Sequence, residues 1–286
     1  MKKSVFLILP LLFLCSCNKE SSSSLSSTSS GTESSSSSSS SSSTPLTAED
    51  FVEKLSKAGG HPNRIQGEQE TSYFFSTGTE EDGITIDGKD AFTAGRYSNK
   101  EDGDLVVRKG VLTMDGSSTS YEMQTSYDEE SFYQLLRYED GTGTKQLLPF
   151  AVSSIEANLS LDAAMSEAKS LSDALSYQGV KDVEVVLDLP ESLTDGETSF
   201  SYEVNLFVEG TDVYQQRLLS STTITLEEGI LTHIETTKEE KIYASGLALN
   251  TMSVKSAMDI QQGEFQAYDG EIFDPDDPTF SLVEDE

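Results

Sequence analysis

The chain has 286 residues, with 50 acidic side chains against 19 basic ones, 2 histidines, 2 cysteines and no tryptophan. A net charge of −31, with no cluster of Lys or Arg to offset it locally, repels nucleic acid and anionic headgroups and argues against partners of either kind. Both cysteines fall within the first 17 residues, so no disulfide can staple the remainder and its core must hold it unaided.

Lys2 and Lys3 precede an apolar run at 5–14, broken only by Pro10. A membrane span takes about 20 apolar residues, so this run suits a secretory signal instead. It ends on Leu14-Cys15-Ser16-Cys17. That tetrad resembles the lipobox of bacterial lipoproteins: a large aliphatic residue, two small ones, then the cysteine that takes the lipid. Cys17 fits at every position. Cys15 does not, because Leu14 stands where the family has a small residue. The resemblance implies removal of residues 1–16 and a diacylglycerol thioether on Cys17, often with a further acyl chain such as palmitate on the amine. It also implies a mature chain held on the extracytoplasmic face of the cell membrane. Losing Lys2 and Lys3 leaves 17 basic residues against 50 acidic, a net charge of −33.

Residues 17–46 are the lipidated cysteine followed by a stretch that is mostly serine. It has almost nothing to bury, cannot offset its ordering entropy, and is expected to be a disordered tether. As a flexible coil it has a root-mean-square span of about 30 Å. Residues 47–286 contain no Pro/Ser/Gly-rich break and are expected to form a single β-rich domain.

Within that domain the spacing predicts a helix opening at Thr47, with Ala48, Phe51, Val52 and Leu55 on one stripe and Gly59-Gly60 as its stop. Strands follow to about residue 148, with turns expected at Asp115-Gly116, Asp128-Glu129-Glu130 and Asp140-Gly141. A second helix is expected from about Ser160, with Leu161, Ala164, Met165, Ala168, Leu171 and Leu175 as its apolar stripe and Gly179 at its end. Strands resume near 182. In 198–209, Phe200, Tyr202, Val204, Leu206 and Val208 alternate with polar residues, with Phe207 breaking the polar face. Glu227-Glu228-Gly229 reads as a three-residue hairpin loop.

The fold class expected is therefore α+β, mainly β: a large curved antiparallel sheet, a half-barrel-like meander, with two helices packed on one face. This element order resembles the half-barrel lipid- and lipoprotein-carrier lipoproteins of bacteria. The resemblance implies a ligand of apolar or amphiphilic kind and carries no functional residue across.

Chemistry is sparse. His61, in a Gly-Gly-His-Pro loop, and His233, on a strand, read as structural. Two acidic stretches, 80–90 and 269–278, offer oxygen donors for calcium but lack the ligand spacing of a helix–loop–helix calcium loop, and 269–286 reads as an extended acidic tail. Zinc-ligand spacing, a Gly-x-Ser-x-Gly elbow and a phosphate-binding glycine loop are all missing from the sequence, so no catalytic, metal or cofactor site is assigned. Tyr73 and Phe75 share a strand face with Phe74 on the other, and Tyr121, Tyr127, Phe132, Tyr133 and Tyr138 cluster on nearby strands, as core or as the lining of a cavity. The expectation is a non-enzymatic lipid-anchored protein that binds a lipid-like ligand. The alternatives are a protein–protein or adhesion module and a carboxylate-based hydrolase.

Overall fold

The computed structural model describes residues 46–79, 82–99, 103–127, 132–148 and 163–283. Residues Leu46–Glu286 form a compact unit of their own. The signal segment, Cys17, the serine tether, the turn at Asp128-Glu129-Glu130, Glu80-Glu81, and Ser160 and Leu161 lie outside the described residues.

Helix α1 (Ala48–Ala58) forms where the sequence places it. The Thr47 side chain accepts a hydrogen bond from the Asp50 amide at 3.1 Å, Glu49 and Asp50 face the positive end of the dipole, and Lys57 sits in the last turn. Gly60 then takes a positive φ of 64° and redirects the chain into the sheet.

Six strands follow: β1 (Pro62–Thr79), β2 (Asp82–Asn99), β3 (Gly103–Met114), β4 (Ser117–Tyr127), β5 (Phe132–Tyr138) and β6 (Gly143–Leu148). Helix α2 (Ala163–Ser176) leads into β7 (Val183–Asp188), β8 (Gly196–Phe207), β9 (Tyr214–Glu227), β10 (Ile230–Ala244) and β11 (Leu247–Gln262). Two short strands end the chain, β12 (Gln266–Ala267) and β13 (Phe280–Leu282).

These build one open, curved 13-stranded sheet in the order β13-β6-β5-β4-β3-β2-β1-β11-β10-β9-β8-β7, with β12 pairing β2. Each half is an antiparallel meander, as expected, and the halves join where β11 pairs β1 along almost its whole length. Two departures from the antiparallel plan are the short parallel pairings of β12 with β2 and β13 with β6. The loop expected to hold three residues holds two: Glu227 pairs with Ile230 across Glu228 and Gly229, both at positive φ, 53° and 77°. That conformation matches the strand twist and favours glycine at its second position. Ser245-Gly246 repeats it, a hairpin the sequence reading missed.

Both helices pack on one face of the sheet, called here the inner face. Phe51, Leu55 and Leu171 are wholly buried against Ile65, Ile224, Leu231 and Ile234. Burying a side chain of that size contributes about 1.5–3 kcal/mol. The Phe51 ring meets Phe200 edge-on at 5.1 Å. The α2 stripe differs from expectation. Ala164, Glu167, Ala168, Leu171 and Ala174 are buried, Met165 is 47% exposed and Leu175 is only half-buried. Small alanines fill most of the stripe, and a carboxylate occupies its middle.

The acidic C-terminus is not a free tail. Residues 268–282 form a strap across the opposite, outer face of β3–β6. The Tyr268 hydroxyl donates to Glu122 at 2.8 Å, Gln124 donates to the Glu271 carbonyl at 2.7 Å and accepts from the Phe273 amide at 2.9 Å. Phe273 and Phe280 bury against Leu135, with the Arg137 guanidinium 4.0 Å above the Phe273 ring. The acids serve the turns: Asp274 accepts from the Asp276 amide at 2.9 Å and Asp277 from the Thr279 amide at 2.8 Å. Two phenylalanines within an acidic run override its solubility, and β13 also covers the β6 edge, which would otherwise stand unpaired.

Candidate functional site

Residues directly opposite one another on paired antiparallel strands share a face, so the register assigns each strand position to a side. On the inner face β1 places Ile65, Gly67, Gln69, Thr71, Tyr73 and Phe75, and β2 places Ile84, Ile86, Asp90, Phe92 and Ala94. β11 adds Met252, Val254 and Met258, β10 adds Lys238, Glu240 and Ile242, and β9 adds Leu218 and Ser220. The outer face of the same strands carries Glu68, Glu70, Ser72, Asp87, Lys89, Ser253 and Lys255. The inner face is thus the more apolar of the two, and the outer face the more charged.

The helices cover only one end of this inner face. They pack near Ile65, Ala94, Ile234 and Ile260, at one end of the long central strands. Toward the other end of β1, β2, β10 and β11 the inner face is mostly apolar, with Glu240 and the exposed Asn250 among its apolar side chains and no described helix on it. There Ile84 is 60% exposed, Ile242 42% and Phe75 41%. Tyr73 and Phe75 stack, with their ring centres 6.1 Å apart and nearly parallel. This settles the sequence expectation for the pair in favour of one face, and Phe74 takes the other. Tyr121 and Tyr138 face each other across β4 and β5, and Tyr127 pairs with Phe132 by backbone register.

Three polar groupings interrupt the inner face. At the edge of α2, the Lys238 ammonium donates to Glu167 at 2.8 Å, and the Thr222 hydroxyl donates to the same carboxylate at 3.3 Å. Burial works against the Lys238 charge, but the Glu167 carboxylate outweighs it, so the lysine pKa lies above its ordinary value. In the second grouping, Arg108 and Tyr121 both donate to Asp90 Oδ2, at 2.6 and 2.7 Å, and the Arg108 Nε donates to the Tyr121 hydroxyl at 2.9 Å. Burial, together with the Asp90 carboxylate, raises the Tyr121 pKa well above that of a free phenol. In the third, Glu240 accepts from the Gln216 amide at 2.6 Å, among Leu218, Ile242 and Met252. Burial first, and the Glu240 charge second, raise the Tyr73 pKa.

The histidines lie elsewhere. His61 is in the loop after α1, its backbone amide bonded to Gln262 at 2.7 Å. His233 is on the outer face, with Nδ1 2.7 Å from Asp259 and Nε2 3.4 Å from Glu235. Burial lowers its pKa, but the hydrogen bonds and charges of the two carboxylates outweigh that and leave it raised. A raised folded-state value stabilises fully below the unfolded value of about 6.5 and is lost as pH rises through the folded value. The partners are largely exposed, at 79% and 63%, so a few tenths of a kcal/mol is the expected size. Unfolding of wild type against His233→Gln from about pH 5 to 8 should show the wild-type advantage at the acid end only; an advantage that grows toward pH 8 would contradict it.

Of the calcium stretches, Asp87 accepts from the Ser72 hydroxyl at 2.6 Å and Asp90 is held by Arg108. Among the described residues no group of three His, Cys, Asp or Glu side chains is placed to hold a metal ion.

Neither a protein-family model nor a curated protein matches the chain. Among solved structures it is similar to an S-type phycobiliprotein lyase from Guillardia theta, at 7% identity and a TM-score of 0.23, over 77% of this chain and 95% of that one. It is also similar to a β-barrel-like protein of a domain of unknown function from Brucella abortus, at 9% identity and a TM-score of 0.21, over 70% of this chain and 100% of that one. Likenesses at that level assign neither a family nor a function.

Proposed function

We propose that the protein is a lipid-anchored extracytoplasmic lipoprotein whose β-rich domain binds an apolar or amphiphilic ligand on the inner face of its sheet, without catalysis. In this reading residues 1–16 are a signal peptide, Cys17 carries the lipid, the rest of 17–46 is a tether, and 47–286 is the binding domain. The observation that carries the binding role is the one-sided apolar surface beyond the helices. Phe75, Ile84 and Ile242 are each at least 41% exposed there, while the reverse side of the same strands is charged. A long sheet with one apolar face exposes surface that water disfavours and that a lipid tail or another apolar body would cover. The ion pairs on this face are satisfied internally, which suits a binding floor more than a reacting centre.

The test is organic extraction of the Cys17→Ser protein, purified without detergent, followed by mass spectrometry. With neither acyl chain nor detergent present, any amphiphile in the extract was bound by the domain. Phe75→Glu with Ile84→Glu places charge on exposed positions and should empty the extract while leaving the circular dichroism unchanged. An extract from the protein without those two charges that holds no amphiphile would overturn the reading.

A second reading, strand addition, has one observation of its own. β7 pairs β8 on one side and, among the described residues, has no strand on the other. Edges of that kind accept extended peptides. This reading predicts a bound peptide and an empty lipid extract.

A further inference from the structure

The inner face carries few ionisable side chains, and all but one of those near the uncovered stretch are already answered. Lys238 is neutralised by Glu167 at 2.8 Å and Arg108 by Asp90 at 2.6 Å, with Glu167 and Asp90 the more deeply buried partners. Arg96 lies at the helix-covered end, over the Phe265 ring at 5.2 Å. Each of these three cations, among the described residues, already has a partner on this face. Glu240 differs. Among the described residues its carboxylate accepts from a neutral amide, that of Gln216, and its neighbours across the strands are Leu218 and Met252, with Tyr73 beyond. A carboxylate in such surroundings attracts a cation more strongly than one in open water, because the local dielectric is lower.

We infer that the amphiphile bound on the inner face carries a cationic amine at its polar end, and that Glu240 receives it while the tail runs over Tyr73, Phe75, Ile84 and Ile86. This rests on the ligand-binding reading. From Glu240 on β10 to Ile84 and Ile86 on β2 is three strand spacings, about 14 Å, across a surface with no further charge. The strongly acidic body attracts cations at long range, and Glu240 fixes where the head comes to rest. The same carboxylate turns away fatty acids, whose heads share its sign.

The test uses the chain with Cys17→Ser, which carries no acyl groups and needs no detergent, as the background for every variant, and three probes with one tail: dodecylamine, dodecanol and dodecanoate. Binding is measured by calorimetry below the micelle threshold, in about 0.15 M salt to screen the general field. The amine should bind at least tenfold tighter than the alcohol, and the carboxylate weakest. Glu240→Gln should bring the amine down to the alcohol without weakening the alcohol. Glu239→Gln makes the same change of charge one residue away on the outer face and should leave the order intact. If the amine preference survives Glu240→Gln, or never appears while the alcohol binds, the head assignment is wrong and the apolar site stands. If none of the three binds, the ligand-binding reading fails together with this inference.

Discussion

Replacing Cys17 with serine should move the protein entirely from the detergent-rich phase to the aqueous phase. In a lipoprotein signal the cysteine sulfur is the atom that takes the diacylglycerol, and a serine hydroxyl in its place leaves the chain without acyl groups. Each buried methylene contributes about 0.8 kcal/mol, so one chain binds reversibly and two or three hold stably. Among the described residues no helix is long and apolar enough to cross a membrane. The apolar inner face is a small area by comparison, and a protein of net charge −31 is repelled by anionic lipid. Phase partitioning with mass spectrometry of the N-terminus gives the readout. Wild type should begin at a lipid-modified Cys17, Cys15→Ser should behave like wild type, and Cys17→Ser should be soluble. A Cys17→Ser protein that stays with the detergent would end the lipobox reading.

Much of the fold follows from local rules that a single sequence displays. Thr47 caps α1, Gly59-Gly60 stops it, and strict alternation marks β8, because these signals act over a few residues. Joining β11 to β1 is another matter: Ile65 pairs with Ile260, about two thirds of the chain length away, and no local pattern announces that. Glu167 was invisible for the same reason. Its spacing from Ala164 and Leu171 sets it beside the apolar stripe, but Lys238, the cation that makes its burial tolerable, is 71 positions away. Val208 was expected to continue β8 inward. The strand ends at Phe207, which instead stacks on Tyr214 on the outer face at 5.1 Å. The strap could have been found, since Phe273 and Phe280 inside an acidic run are poor residues for a free tail. The binding face was half legible. Tyr73 and Phe75 were placed on one side by their spacing, but which stretch of the sheet the helices leave open depends on where α1 and α2 land, and that is decided by packing.

Removing the Asp90 carboxylate should cost about 3–5 kcal/mol of folding stability, the largest effect expected of any single substitution on this face. Asp90 and Arg108 are 8% and 16% exposed at their side chains, and their contact of 2.6 Å is shared by the Tyr121 hydroxyl at 2.7 Å. Asp90→Ala leaves a guanidinium in surroundings where water can hardly reach it, and strips Tyr121 of its acceptor. The Phe92 ring, 3.6 Å beneath the Arg108 guanidinium, remains, but a cation–π contact contributes only about 0.5–2 kcal/mol and cannot replace the carboxylate. Gly110 shows how tightly the group is closed: a methyl there would meet Asp90 Oδ1 and a Tyr121 ring carbon, each at 2.9 Å. Removing both charges should do far less harm than removing one. Asp90→Leu with Arg108→Met should come within about 1–2 kcal/mol of wild type, because the cost of a buried pair lies in its desolvation and is felt when one partner stays behind. Tyr121→Phe, which deletes a single hydrogen bond, should cost about 1 kcal/mol. Urea unfolding of the four proteins measures these differences. If Asp90→Ala lost less than about 1 kcal/mol, or the double variant lost as much as the single one, the pair would be a surface contact and water would have to reach Arg108 freely.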